Sequence, residues 1–318
     1  MRSGFVRTAD GKLSLSKIVL GTCYFGTDIP EDVSYDMLDA YYAAGGRTLD
    51  TARAYGQDAD GRSASEQTVG NWIQTRGLRE EITLVTKGGH PHFSDMHASR
   101  LSEAEIYADF EASLRDLSAD RVDVYFLHRD DASIPVGRIM DILDRLVKEG
   151  RVRALGASNW SVSRILEANA YALEKGKTPF TVSQIQWSLA ASTPEAWNDD
   201  TLVCMTDEEY AAYLRAGIPV MAYSPQAKGI FSKYIAGGEA ALGRKIRERF
   251  LTEENLRRIE RVRTLSELSG LSPAAVALAY ITCNPLEGFA IVGCSSVAQL
   301  RDSLSAADLE LNISTLTE

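Results

Sequence analysis

The sequence predicts an α/β fold, a (β/α)8 TIM barrel with an N-terminal β-hairpin, on three observations. Eight short, β-branched apolar runs alternate with amphipathic helical stretches. The runs are apolar throughout, as in parallel strands covered on both faces. The chain has 318 residues, and barrels of this kind often run past ~250 residues as one domain. Residues 1–318 are therefore read as a single barrel domain. The rival is an open doubly wound sheet, because alternation alone does not show closure. No GxGxxG fingerprint follows the first run, which weighs against a dinucleotide-binding sheet of that type.

The elements follow in chain order. Phe5–Leu15, with Asp10-Gly11 at its middle, reads as a hairpin placed to cap the bottom of the barrel. The candidate strands are Lys17–Leu20, Arg47–Asp50, Ile82–Lys87, Val122–His128, Val152–Ser158, Thr181–Trp187, Ile218–Tyr223 and Phe289–Gly293. After the third, Ser102-Glu103-Ala104-Glu105 is a capping box, and Ile106, Phe110, Leu114 and Leu117 follow at helical spacing. Val136, Met140, Leu143 and Val147 form the next stripe, and Val162, Ile165, Leu166, Ala170 and Leu173 the one after. Val297, Leu300 and Leu304 mark the last helix. Two connections, Leu189–Asp207 and Gln226–Glu254, are long for a compact domain. At the C-terminal face of a barrel such loops carry function.

Composition narrows the function classes. Apolar residues make up 45% and the net charge is −10. A large core can form, and an acidic surface repels phosphate backbones, so nucleic-acid binding is disfavoured. Cys23, Cys204, Cys283 and Cys294 have no CxxC spacing. They read as reduced thiols in a cytoplasmic protein. The N-terminus lacks the apolar core of a signal peptide, and no run approaches the ~18 apolar residues of a membrane span.

Ionisable residues at the ends of apolar strands are the informative ones. Asp50 ends the second strand, Lys87 the third and His128 the fourth, and Tyr55 lies just beyond Asp50. A barrel assembles its active site from such C-terminal ends. Taken singly, each has a bland alternative: Asp50 as a helix cap, Lys87 as a solvated end, His128 as a satisfied core histidine.

Together they carry a resemblance. Asp50-Thr51-Ala52-x-x-Tyr55, Thr86-Lys87, Leu127-His128, Gly156-Ala157-Ser158-Asn159-Trp160, Gln184, Tyr223-Ser224-Pro225 and Gly293-x-Ser295-x-x-x-Gln299 stand in an order that resembles the aldo-keto reductases along nearly the whole chain. The resemblance implies reversible carbonyl reduction with a catalytic tetrad of Asp50, Tyr55, Lys87 and His128. Tyr55 would give a proton to the carbonyl oxygen. A phenol has an ordinary pKa of about 10, and a neighbouring Lys87 cation is expected to lower it. Asp50 would hold Lys87, and His128 would hydrogen-bond the substrate oxygen and help relay the proton.

The resemblance also implies a cofactor site. Gly21 and Thr22 after the first strand are cofactor-binding candidates, and Ser158, Asn159 and Gln184 would hydrogen-bond the nicotinamide carboxamide. Tyr223 would stack on its ring. Ser224, Gln226 and Lys228 open a loop expected over the pyrophosphate. Gly293, Ser295 and Gln299 would receive the adenosine phosphate at a helix start. Lys or Arg, common here in NADPH-selective branches, is replaced by Gly293 and Gln299. Asp302-Ser303 replaces the more usual Glu-Asn, with Arg301 on the same helix. The expected cofactor is NADP(H), with NAD(H) possible. The basic run Arg244–Arg249 is better read as a solvated helix face.

On the substrate side, Tyr24, His90, Arg129 and Trp160 are the candidate contacts, with Trp187 and Trp197 as added stacking surface. Three of the four histidines, His90, His92 and His97, share one loop. Their spacing invites a zinc reading, but the chemistry implied needs no metal, and a lining role at the substrate mouth is preferred. Arg129-Asp130-Asp131 departs from the Trp-Pro of steroid- and aldose-type branches. It suggests a polar carbonyl, such as a sugar-derived one, with the acidic pair bonding hydroxyls. Two other functions compete with an NAD(P)H-dependent reductase. One is a cofactor-binding regulatory or scaffold subunit resembling potassium-channel beta subunits. The other is a barrel lyase or isomerase with Lys87 as a Schiff base. The expected partner is a small carbonyl or alcohol; oligomeric state is open.

Overall fold

The computed structural model describes residues 1–8 and 10–317. Strands β1 (Ser3–Thr8) and β2 (Gly11–Ser16) form the antiparallel hairpin. Eight further strands close into a parallel barrel in chain order. They are β3 (Ile18–Gly21), β4 (Thr48–Asp50), β5 (Thr83–Gly88), β6 (Val122–Leu127), β7 (Val152–Ser158), β8 (Phe180–Gln186), β9 (Val220–Tyr223) and β10 (Gly288–Val292). β10 pairs with β3, so no edge remains and the open-sheet rival falls away. The seventh strand starts at Val220, not Ile218, because Pro219 has no N–H to give to a ladder.

Helices cover the outside. They are α1 (Glu31–Ala43), α2 (Ala64–Arg76), α3 (Glu103–Leu117), α4 (Val136–Lys148), α5 (Val162–Glu174), α6 (Pro194–Trp197), α7 (Asp207–Ala216), α8 (Ile230–Gly237), α9 (Arg244–Phe250), α10 (Glu253–Ser269), α11 (Pro273–Thr282), α12 (Val297–Leu304) and α13 (Ser314–Thr317). The capping box of α3 is present in both directions between Ser102 and Glu105. α2 carries no hydrophobic stripe in the sequence, for a visible reason. Its buried face carries Ser65, Glu66, Thr68 and Gly70 among Val69, Trp72 and Ile73, so hydrophobic periodicity is blurred there. α6, α8 and α9 lie within the two long connections. No helix among the described residues is long and apolar enough to cross a membrane.

The core has two layers. An outer layer packs the helices on the barrel wall. An inner layer fills the barrel with Val19, Val85, Val124, Phe126, Ala154, Val182, Met221, Phe289 and Ile291. Val6, Leu13 and Leu15 of the hairpin belong to this inner layer. Each such side chain stabilises by about 1.5–3 kcal/mol when fully buried. The hairpin thus closes the N-terminal end, and ligand access is left to the other.

Candidate active site

Side chains alternate along a strand, so residues two apart face the same way. Two positions beyond the apolar inner layer, the barrel interior turns polar. Val85 is followed by Lys87, Phe126 by His128, Val182 by Gln184 and Met221 by Tyr223. Asp50, at the end of β4, joins this polar top layer. The same periodicity that builds the core therefore delivers the polar groups to one end.

Lys87 is fully buried there. Its Nζ donates to Asp50 Oδ2 at 2.7 Å, to the Thr51 carbonyl at 2.8 Å and to the Tyr55 hydroxyl at 3.1 Å. An ammonium has three hydrogens and no acceptor, so its capacity is used up. Asp50 Oδ1 in turn accepts from Gln184 Nε2 at 2.9 Å. The Tyr55 oxygen is an acceptor towards Lys87, and its own O–H donates to no group among the described residues. Burial, then the Asp50 charge, pushes the Tyr55 phenol well above its ordinary value. This corrects the expected lowering by Lys87: in the free site desolvation and Asp50 dominate, and the phenol keeps its proton.

His128 follows β6 and lies edge-on to Tyr55, with ring centroids 5.7 Å apart. Burial, reinforced by His90, Lys87 and Arg129, holds its imidazole well below the ordinary value. It is neutral at pH 7, and its buried Nδ1 has no partner among the described residues. His90 stands 4.6 Å away, also edge-on, and burial pulls it down to about 4. Its Nδ1 is 2.6 Å from the Pro91 carbonyl; a carbonyl only accepts, so that nitrogen carries the hydrogen.

A cavity of about 810 Å³ opens above this layer. Of the residues picked from sequence, Asp50, Tyr55, His128, Gly21, Thr22, Tyr24, Arg129, Ser158, Asn159, Gln184, Tyr223, Ser224, Gln226, Lys228, Gly293, Ser295 and Gln299 line it. Asn159 braces several of them. Its Nδ2 donates to the His128 carbonyl at 3.3 Å, and its Oδ1 accepts from Tyr223 OH at 2.9 Å and Val203 N at 3.3 Å. Asn159, Ser224 and Lys228 have φ of 57°, 52° and 57°, in the left-handed region that costs a non-glycine residue energy. Gln299 Oε1 accepts from Ser295 N and Oγ, both at 3.0 Å.

Other picks fall outside the cavity. Trp160 is fully buried and gives its Nε1–H to the Arg129 carbonyl at 3.2 Å; it supports the lip rather than meeting a ligand. His90 sits behind His128 and lines a separate recess of about 30 Å³. Trp187 is packed between Tyr210 and Tyr280. Asp130 pairs with Arg164 at 3.2 Å, and Asp131 accepts from Ser133, so neither reaches the cavity to bond hydroxyls. Arg301 and the Arg244–Arg249 run lie outside the lining. His97 Nε2 lies 3.3 Å from Asp200, and no group of three His, Cys, Asp or Glu among the described residues could hold a metal ion. Phe25, Ile29, Asp199, Leu202 and Phe231 line the cavity without a signal of their own in the sequence, and with them stand Trp197, expected as stacking surface, and Asp302, noted on the last helix. Asp199, Leu202 and Phe231 come from the two long connections, and loop length was the available signal.

One buried acid lies beside the site. Glu66 on α2 accepts from Thr86 Oγ1 at 2.6 Å, while its Oε2 has no partner among the described residues. Burial pushes it up to about 7. The folded protein thus holds a proton that the unfolded chain releases near pH 4.5, a contribution complete below that pH and lost as pH rises through 7. The Tm advantage of wild type over Glu66→Gln should therefore fall between pH 5.5 and 8.5, while the buried, neutral His90 and His128 act in the opposite direction equally in both proteins. Parallel Tm profiles for the two proteins would refute this.

The family model for the aldo/keto reductase family matches residues 17–318. The chain is 29% identical to an uncharacterised oxidoreductase of Bacillus subtilis, over 94% of this chain and 90% of that one. It is 26% identical to a norsolorinic acid reductase of Emericella nidulans, covering 94% and 76% of the two chains. It is also 26% identical to a probable aryl-alcohol dehydrogenase of Saccharomyces cerevisiae, covering 88% and 84%.

Proposed function

The chain belongs to the aldo/keto reductase family, and on that footing we propose that it reduces an aldehyde or ketone to the alcohol, reversibly, with Tyr55 as general acid. The observation that carries this is the Tyr55 hydroxyl. Its oxygen is held by a Lys87 whose other hydrogens are taken, and its own proton, with no acceptor among the described residues, is left to the cavity. A bound dihydronicotinamide would supply the hydride to the carbonyl carbon. The carbonyl oxygen gains electron density as that bond forms, and Tyr55 gives it the proton. Burial keeps the phenol protonated until then. Lys87 then sits against the phenolate oxygen, where an ammonium stabilises the new charge. Neutral His128 is a hydrogen-bonding neighbour for the substrate oxygen. Solvent reprotonates Tyr55 after product leaves.

The residues present fit a nicotinamide cofactor. Gln184 lines the cavity with an Oε1 that accepts from no group among the described residues, an acceptor suited to a carboxamide N–H. Tyr223 is fixed by its bond to Asn159, so its ring is a preset stacking face. NADP(H) remains the preferred cofactor, with NAD(H) the alternative, and residues 1–318 the catalytic unit. We place the enzyme in the cytoplasm on its four unpaired cysteines. The cavity wall combines Tyr24, Phe25, Trp197 and Phe231 with Arg129. That suits a carbonyl with an aromatic or apolar body and a polar group, in line with relatives named for aryl alcohols and norsolorinic acid.

Fluorescence titration with NADPH and NADH in parallel tests the cofactor site. Tyr223→Ala is expected to weaken NADPH about tenfold. Failure of the wild type to bind either nucleotide would end the reductase reading. Binding without turnover of any carbonyl would favour a regulatory subunit.

A further inference from the structure

We infer that Arg129 is a specificity-determining residue that receives a carboxylate carried by the carbonyl substrate. The inference rests on the reductase reading and goes beyond it by naming a second recognition group.

Arg129 directly follows His128, and of the Arg129-Asp130-Asp131 triplet it alone lines the cavity. Its side chain is 10% exposed, so the charge is nine-tenths withdrawn from water. A guanidinium has five N–H donors in a planar fork. Nε gives its hydrogen to Thr201 Oγ1 at 2.9 Å, and Nη1 gives one to the His128 carbonyl at 3.0 Å. Nη2 gives one to Asp199 Oδ2 at 3.4 Å. Two N–H groups are left with no acceptor among the described residues. Buried donors without partners are costly, and a ligand oxygen removes that cost.

The counter-ion is loosely held. Asp199 stands 3.4 Å from Nη2, against 2.7 Å for Lys87 and Asp50. Its other oxygen is already committed to Thr201 N at 3.0 Å and Thr201 Oγ1 at 2.5 Å. The Arg129 main chain is also held in place. Trp160 Nε1 holds the Arg129 carbonyl at 3.2 Å. A fixed fork with two free N–H groups matches a carboxylate in two-point contact. The Arg129 charge is felt at Tyr55, His128 and Tyr223, whose proton affinities it lowers. An anionic group bound to it therefore lies within electrostatic reach of the reacting carbonyl.

The contrary view makes Arg129 a clamp that ties the loop at 199–203 to the end of β6. The two roles separate in a paired-substrate assay with benzaldehyde and 4-carboxybenzaldehyde, the same aldehyde without and with the anion. Wild type should favour the carboxylated aldehyde in kcat/KM by about tenfold or more, and added NaCl should erode the preference. Arg129→Gln should abolish the preference, chiefly through KM for the carboxylated aldehyde. Asp199→Asn should raise it, because the competing carboxylate is gone while Thr201 can still be bonded. A clamp alone predicts equal losses on both substrates. Equal losses in Arg129→Gln, or no preference in wild type, overturn the inference while benzaldehyde reduction leaves the reductase reading standing. If Arg129→Gln does not fold, an unchanged ratio in Asp199→Asn overturns it instead. Absence of NADPH- or NADH-dependent turnover of either aldehyde overturns both.

Discussion

Tyr55→Phe should lower kcat by about 10²–10⁴-fold, the usual worth of a positioned proton donor, and leave NADPH binding within about twofold. Phe keeps the ring that packs edge-on to His128, so the cavity keeps its shape. What disappears is the cavity-lining O–H whose oxygen Lys87 holds. Lys87 loses one of three acceptors but retains Asp50 and the Thr51 carbonyl. Stability should therefore fall by only about 1 kcal/mol, the net worth of one hydrogen bond. Steady-state kinetics on any accepted carbonyl, with NADPH titration of the same preparation, separates the two effects. A variant retaining more than a tenth of wild-type kcat would remove Tyr55 from the proton-donor role.

Lys87→Met is expected to destabilise the fold by about 3–5 kcal/mol, because it strands a buried carboxylate. Asp50 is 2% exposed, and its remaining donor is Gln184 Nε2 at 2.9 Å. An amide donor does not replace an ammonium at 2.7 Å. The double variant Asp50→Leu/Lys87→Met should recover most of that loss, since an apolar pair of similar volume removes both desolvation penalties. Activity should not return with stability, because nothing then stabilises a Tyr55 phenolate. Urea melts of the three proteins, read with their kcat values, check this. A double variant as unstable as Lys87→Met would mean that the pair is held for packing rather than charge. A Schiff-base role for Lys87 finds no support in the geometry, since its ammonium is fully hydrogen-bonded beneath the cavity floor.

Much of the architecture was legible because barrel strands are short, apolar and separated by helices with strong caps. Ser102 and Glu105 announced α3, and the stripe from Val136 to Val147 announced α4. α2 went unmarked because its buried face holds Glu66, Ser65 and Thr68, which no hydrophobic pattern can flag. Within the site, residues at strand ends were found by their order alone. Trp160 and Trp187 were misjudged because a tryptophan next to a site reads the same whether it faces the cavity or the wall behind it. Asp130 and Asp131 were misjudged for a related reason. Their partners, Arg164 and Ser133, are fixed by the path of the chain beyond β6, which no local spacing reveals.

By itself, the sequence determined the (β/α)8 order, the family and the cluster of Asp50, Tyr55, Lys87 and His128 at one end. The order and the shared end follow from periodicity, since position in a strand decides facing and strand ends share one rim, whereas the family follows from the resemblance its ordered motifs carry. Tertiary structure alone decided charge state and reach. Burial sets the Tyr55 phenol high and the His128 imidazole low, the reverse of what the Lys87 charge alone implies for the tyrosine. It also decided that Arg129, rather than the two aspartates beside it, lines the cavity. Desolvation and side-chain direction depend on groups far apart in the chain, and they exist only once the barrel has closed.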